Sequence, residues 1–388
     1  MMRIDRLALA ATALLAAQGA IAADAGYRFG EGWQLRGAQD RWALRLGARL
    51  QYDGARFQQD VTTLGDDTLL RRARAALGID LGRHFSLLAD YDAGDFSPGW
   101  KNLWLQYEFS RSWSLRVGSQ MAPFGLDDAS SSDNSPFMER SLSATLRPGL
   151  LRGAVLRMRG QRWSLAIGGF GNDLADEDRR SLPGRSAVAR AVWQPLNTRR
   201  LDLGFGLSGE TRRADTGATA RLRSRPETAL TPARLVDTRT LQIGDGITTL
   251  GADAFLATGP VMVAAEFAQS RVELLDGETP TFTGWTATAG WTLTGEHRNY
   301  RVGTGAYSGF EPRHRWGAVE LAVRASRLDL EDGSVTGGVE TNTGVALNWY
   351  WNRNSRLAIN YIRVDAQPNR NGIDESPTLL QARFQLAL

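Results

Sequence analysis

The sequence predicts an all-β protein, a 16-stranded antiparallel transmembrane β-barrel, and three observations predict it. The chain opens with a secretory signal peptide. Beyond it, segments of about ten residues alternate apolar and polar side chains and are punctuated by Gly, Asn, Asp and Pro, the signature of outer-membrane barrel strands. The apolar face of the first clear segment is capped at both ends by an aromatic residue, Trp42 and Tyr52, where a bilayer interface favours such side chains.

The N-terminus carries Arg3 and Arg6, then an apolar run from Leu7 to Ala17, then the small-residue site Ala20-Ile21-Ala22. This reads as a signal peptide over residues 1–23, cleaved after Ala22 or Ala23, with the barrel domain over 24–388. The apolar run is too short for a membrane helix, which takes ~20 residues. The remaining chain has no long apolar run, and it has no cysteine, so no disulfide framework supports it. The length would suit two soluble domains. No linker or Pro-rich break divides it, and no helical period is sustained over three turns.

After a polar lead-in (24–40) comes RWALRLGARLQYD. Trp42, Leu44, Leu46, Ala48, Leu50 and Tyr52 share one face; Arg41, Arg45, Arg49, Gln51 and Asp53 share the other. A soluble sandwich also alternates; the nearly all-arginine polar face is what tilts the reading. In LLRRARAALGIDL, Ala73, Ala75, Leu77, Ile79 and Leu81 oppose Arg72, Arg74 and Asp80. HFSLLADYD and NLWLQYEF repeat the pattern, as do residues 113–121 and 154–159. Ten further segments follow near 163–171, 186–194, 201–210, 247–258, 261–272, 281–293, 316–327, 339–351, 356–364 and 377–388, which makes sixteen. Connections alternate between tight and long, the habit of a barrel with short turns at one rim and loops at the other. The insert over 122–150 is far longer than the 2–5 residues usual for a hairpin, and loops of that length are usually functional. Residues 295–315 are too long for a tight turn and read as an irregular excursion. The strand limits around 212–246 stay open.

The words QMAPFGL and PFMER within the insert, with RLRSRPE, WKNLWLQYEFS and NWYWNRNSRLAINYIRV elsewhere, resemble the phosphate-selective porin O and P family. That resemblance implies an inward-folded third external loop that narrows the barrel, here carrying Pro123, Phe124, Gly125, Asp127, Asp128 and Arg140. It also implies passive passage of small anions such as phosphate or polyphosphate, a homotrimer, and a setting of outer-membrane lipid and lipopolysaccharide. Phosphate-selective members carry lysines at the constriction; this loop has none, and sets Asp127, Asp128, Asp133 and Glu139 against Arg140 and Arg147. Barrels of this kind usually end in an aromatic residue, and here the position is Leu388.

Of the 46 Lys and Arg residues, Lys101 is the one lysine. Base composition alone can enrich arginine, but it does not explain placement. Arg45, Arg49, Arg72, Arg74, Arg116, Arg157 and Arg159 all fall on polar strand faces and form the expected anion path. Guanidinium stays charged and grips oxyanions in a fork, and rings of arginine select anions in pores. Asp80, Asp90, Asp92 and Glu108 lie on the same faces and are candidate partners; full pairing of Arg72 and Arg74 with Asp90 and Asp92 would make them wall residues instead. Catalysis is not expected: the three histidines, His84, His297 and His314, sit beside no HExxH, GxSxG or P-loop motif. Asp173, Asp176, Glu177 and Asp178 read as a solvated acidic run that does not match an EF-hand. No metal, cofactor or nucleic acid is expected. The competing reading is a structural or adhesive outer-membrane barrel with a plugged pore.

Overall fold

The computed structural model describes residues 33–37, 41–173, 182–198 and 200–388. The expected signal peptide, most of the polar lead-in, and Asp176, Glu177 and Asp178 lie outside the described residues.

All sixteen expected segments form strands: β1 (Trp42–Gln58), β2 (Asp67–Leu81), β3 (Phe85–Asp92), β4 (Gly99–Glu108), β5 (Trp113–Met121), β6 (Leu150–Arg159), β7 (Trp163–Asp173), β8 (Gly184–Asn197), β9 (Leu201–Ala214), β10 (Leu241–Thr258), β11 (Val261–Leu274), β12 (Thr281–Thr292), β13 (Ala318–Asp332), β14 (Val335–Tyr350), β15 (Ser355–Ala366) and β16 (Thr378–Ala387). Each pairs antiparallel with its neighbour in sequence, and β16 pairs with β1, from Arg49↔Ala387 to Gln58↔Thr378, which closes the barrel. Closure removes the unpaired edges that a membrane would not tolerate. A short strand, Trp33–Arg36, lies against β1 from Trp33↔Leu46 to Arg36↔Ala43. It continues the line of β16, where Leu388 and Ala48 exchange backbone hydrogen bonds of 2.7 and 3.2 Å.

Several strands overrun their expected limits at the long-loop rim. β1 reaches Gln58, β9 reaches Ala214, and β10 begins at Leu241. There the outward residues, such as Thr211 and Arg213, are exposed and polar, so beyond the bilayer the alternation that marks a strand is lost. Elsewhere the alternation holds. Trp42, Leu46 and Tyr52 are exposed on the outside of β1, while Gln51 and Asp53 are buried on the inside. Leu46→Arg is therefore expected to lower the folded, heat-modifiable fraction, because a cation on the lipid side near the midplane costs about 2–4 kcal/mol. Arg45→Leu is expected to assemble like the parent; equal assembly of the two variants would refute the inside–outside assignment.

One departure from strict alternation places a functional side chain. β2 pairs Arg72 with Gln51 but Leu70 with Tyr52, so Arg71 is an extra residue in a bulge. Simple alternation would aim Arg71 at lipid. The bulge turns it inward, where its Nε and Nη2 donate to the two Glu139 carboxylate oxygens at 2.8 and 2.9 Å.

The two halves of the barrel differ inside. From β8 to β16 the inward side chains are mostly buried, because three connecting segments pack against them. The first is the insert, residues 122–149. Its Leu142 and Leu146 join Val272, Phe282 and Leu328 of the wall in one apolar cluster, and its Phe124 packs with Leu151, Val155, Phe170 and Val188. The second is the loop 215–240, which adds Leu222 and Val236 to the first cluster. The third is the excursion 293–317 at the short-turn rim. Its Tyr300 and Tyr307 stack on Phe255 of β10 at centroid distances of 5.3 and 5.7 Å.

Candidate functional site

The insert is held across the interior by backbone oxygens that accept from wall arginines. Arg356 donates from Nη1 to Ser135 O at 2.7 Å and from Nη2 to Pro136 O at 3.1 Å. Arg324 Nη1 donates to Glu139 O at 2.9 Å. Asn348 Nδ2 donates to Pro136 O, and Met138 N donates to Asn360 Oδ1, both at 2.9 Å. A segment of this polarity needs such donors, since each buried carbonyl left unbonded costs about 1–3 kcal/mol.

Arg383 of β16 is a junction. Its Nε and Nη2 grip Asp53 of β1 at 2.7 and 2.6 Å, and Nη2 also meets Glu139 of the insert at 2.6 Å. Burial alone would raise the Glu139 pKa, but Arg71 and Arg383 prevail and hold it well below the ordinary carboxylate range. The depressed value means that the stabilisation is present above the unfolded pKa of roughly 4.3 and is lost as pH falls through the folded one. The thermal midpoint of the detergent-solubilised barrel is expected to be lower at pH 3 than at pH 6, and Glu139→Gln to shrink that difference. A difference of unchanged size in the variant would refute the role of Glu139. Glu227, in the loop 215–240, is shifted the other way by burial; it accepts from Ser326 Oγ at 2.6 Å and Leu142 N at 3.2 Å.

What the three segments leave free is an eccentric cavity of about 530 Å³. It runs along the inner wall of β1 to β5 and is faced by the insert and by residues 224–228. Arg49, Arg72, Arg74, Asp127, Asp128 and Arg140 border it, with Arg71, Phe96, Lys101 and Arg225. The other expected path residues, Arg45, Arg116, Arg157 and Arg159, lie on the inner face nearer the short turns and do not border it. Pro123, Phe124 and Gly125 do not border it either. They are buried anchors of the insert, and Gly125 N donates to Ser208 Oγ at 3.2 Å. Gly125 has φ 65°, and a side chain there would meet Glu266 and Arg147.

The charges divide into two sets. Arg45 pairs with Asp80 at 2.8 Å, Arg74 with Asp92 at 3.3 Å, and Arg49 with Asp133. The insert's own carboxylates are similarly engaged: Asp128 lies 2.9 Å from Arg140 and 3.7 Å from Arg147, and Arg147 reaches Glu266 at 3.2 Å. The second set has neutral partners. Arg72 Nη1 donates to Gln51 Oε1 at 2.7 Å and Ser132 Oγ at 3.2 Å. Arg116 bonds Gln106, Arg157 bonds Gln120, and Arg159 bonds the Arg111 carbonyl. Among the described residues, no carboxylate pairs with these four. Sequence reasoning missed Arg71, Arg298 and Arg383. Arg383 was readable, since it falls on the polar face of the last strand. Arg71 left a fainter trace, an arginine out of phase in RRAR.

A sequence profile of the phosphate-selective porin O and P family matches residues 44–388. The chain belongs to that family. It is an outer-membrane porin, and its fold and family are those of a channel rather than an enzyme. It is 22% identical to Porin O of Pseudomonas aeruginosa over 392 residues, covering 89% of this chain and 88% of that one. It is 29% identical to an uncharacterised protein of Caulobacter vibrioides over 328 residues, 80% of this porin but 66% of the relative's length. Among solved structures, an anion-selective porin from Comamonas acidovorans aligns with a TM-score of 0.55 at 12% identity, over 89% of this porin and 100% of that chain. OmpT of Vibrio cholerae aligns with a TM-score of 0.56 at 10% identity, over 90% and 100%. At such identities these structures speak for the barrel fold alone.

Proposed function

We propose that this porin is an anion-favouring diffusion channel that works as a homotrimer, with Arg72, Arg116, Arg157 and Arg159 as the charges that set its preference. The observation that carries the reading is the uneven compensation of the lumen arginines. Paired arginines present little net charge to a passing ion, whereas these four keep theirs. In confined water a contact with an anion is screened less than on an open surface. Several such sites in succession draw anions in without trapping them. The insert has no lysine, and its carboxylates already occupy the nearby arginines, Asp127 and Asp128 with Arg140 and Arg147, Asp133 with Arg49, and Glu139 with Arg71 and Arg383, so phosphate is expected to pass as a weakly held anion rather than a tightly captured one. The existence of a trimer form of Vibrio cholerae OmpT supports the oligomeric part of the proposal.

Reversal potentials in a KCl gradient test the charge argument. Arg72→Gln is expected to lower the chloride-over-potassium preference on the order of two- to fivefold, since one unit charge at 4 Å is worth about 1 kcal/mol even in bulk water. Arg74→Gln removes a charge that Asp92 already balances and is expected to lower it less. Equal effects of the two substitutions would refute the division into paired and unpaired arginines. The absence of discrete conductance steps in the parent would favour a plugged barrel instead.

A further inference from the structure

Below the cavity, the inner wall of β4 to β6 sets an aromatic ring beside two of the arginines that carry the charge argument. The tryptophans of the barrel strands, from Trp42 to Trp349, point outward and are exposed, with a single exception among the described residues. Trp104 faces inward between Leu103 and Leu105, both exposed on the outside. Lipid covers the outward rings; on a wall facing water an indole leaves apolar surface uncovered. Arg116 lies over it, its guanidinium carbon 3.9 Å from the ring centroid. Gln106 Oε1 fixes that guanidinium by accepting from Nε at 2.9 Å and from Nη2 at 2.7 Å. One face and one edge of the guanidinium are thus occupied. Among the described residues, no hydrogen bond is made by Nη1 and no ring lies on the opposite face, and Arg116 is partly exposed.

Arg157 completes the group. Register places Arg116 opposite Val155 and Arg157 opposite Ser114, so the two arginines are diagonal neighbours on one face, within reach of a shared ligand. Arg157 makes one long hydrogen bond, Nη2 to Gln120 Oε1 at 3.4 Å, and its buried Nε has no partner. Glu108, the carboxylate on the same stretch, meets Gln106 Nε2 at 3.2 Å rather than either arginine.

We propose that Trp104, Arg116 and Arg157 form a subsite for planar aromatic carboxylates. The aryl ring stacks on the other face of the Arg116 guanidinium and extends the indole–guanidinium stack, while the carboxylate accepts from the terminal Nη groups of Arg157. This rests on the anion-channel reading and names a substrate class for one stretch of the path. A tetrahedral oxyanion uses the charges and cannot use the stack. A cation–π stack of this kind is worth about fivefold in affinity at a partly exposed site.

The test is made on the full-length porin in planar bilayers. The chloride current is titrated with benzoate and, separately, with cyclohexanecarboxylate, which has the same charge and similar size but no π face. Benzoate is expected to reduce the current at about fivefold lower concentration. That ratio is expected to fall to near one in Trp104→Leu and in Arg116→Lys, which keeps the charge and removes the plane. Taking the ratio within each protein cancels any change in conductance. A ratio of one in the parent, or a ratio preserved in both variants, would overturn the subsite. A parent that shows no chloride preference would overturn the anion-channel reading and the subsite with it; a chloride-selective parent with a ratio of one would remove only the subsite.

Discussion

Arg298→Leu is expected to release the excursion 293–317 from the barrel wall and to raise the single-channel conductance with added gating noise. Arg298 is buried and ties its own segment to three others at once. It grips Glu320 of β13, which is fully buried, with Nε at 2.9 Å and Nη2 at 2.8 and 2.9 Å. Nη1 donates to Asn134 O of the insert at 2.7 Å, and Nη2 to Tyr350 Oη at 3.2 Å. Removing one member of a buried pair leaves the other uncompensated, at a cost of about 3–5 kcal/mol. The excursion also makes lighter contacts: Tyr307 N to Ser130 Oγ at 3.2 Å and Ser164 Oγ to Val302 O at 2.6 Å. Further hydrogen bonds, from Arg190 Nη2 to Gly305 O at 3.2 Å and from Tyr300 N to Asp202 Oδ2 at 3.3 Å, also reach it, but none of them neutralises Glu320. The freed Glu320 charge opposes anions, so the chloride preference is expected to fall in the same variant. Unchanged conductance together with an unchanged thermal midpoint would show that apolar packing of Tyr300 and Tyr307 holds the segment without Arg298.

Arg383→Met is expected to lower the thermal midpoint more than any single change in the unpaired arginines. It strands Asp53, which is 1% exposed, at the seam where the first and last strands meet, again about 3–5 kcal/mol. The second substitution Asp53→Asn should recover most of the loss, because replacing both partners of a buried pair is often close to neutral. Glu139 keeps Arg71 in either variant. A double variant no more stable than Arg383→Met alone would mean that the Arg383 bond to Met138 O, and not the ion pair, carries the stability.

The first half of the barrel was legible because its two environments differ. Along β1 and β2, lipid takes the outward face and a polar lumen takes the other, so Trp42, Leu46 and Tyr52 separate cleanly from Arg45, Arg49 and Gln51. The second half carries a weaker signal for a physical reason. In β8, Val188 and Val192 face inward and Ala189 and Trp193 face outward, because the inward side chains meet packed protein instead of water. Apolar residues on both faces erase the period of two. The loops were harder still. Phe124 stood in the stretch expected to narrow the lumen, and it does belong to the insert, but as an apolar anchor against Val155 and Val188 rather than a residue bordering the cavity. Whether a loop residue faces water or wall depends on contacts distant in sequence, as between Ser135 and Arg356, and no local pattern encodes them. The arginines show the same limit. Alternation identifies which face Arg72 and Arg74 occupy, but only the fold separates the one that meets Asp92 from the one that meets Gln51 and Ser132.

The short strand Trp33–Arg36 and β16 lie end to end along β1. Leu388 sits opposite Ala48 and Trp33 opposite Leu46, so a single residue, opposite Gly47, separates the two segments along the wall. The ring of strands therefore has no structural beginning. A polypeptide rearranged by circular permutation, with one residue bridging Leu388 to Trp33 and the cut moved to the tight connection at Gly333 and Ser334, would draw the same sixteen strands in a different order of synthesis. What the native order decides is which strand emerges last for the seam to be sealed, and that is a property of the folding route rather than of the finished barrel.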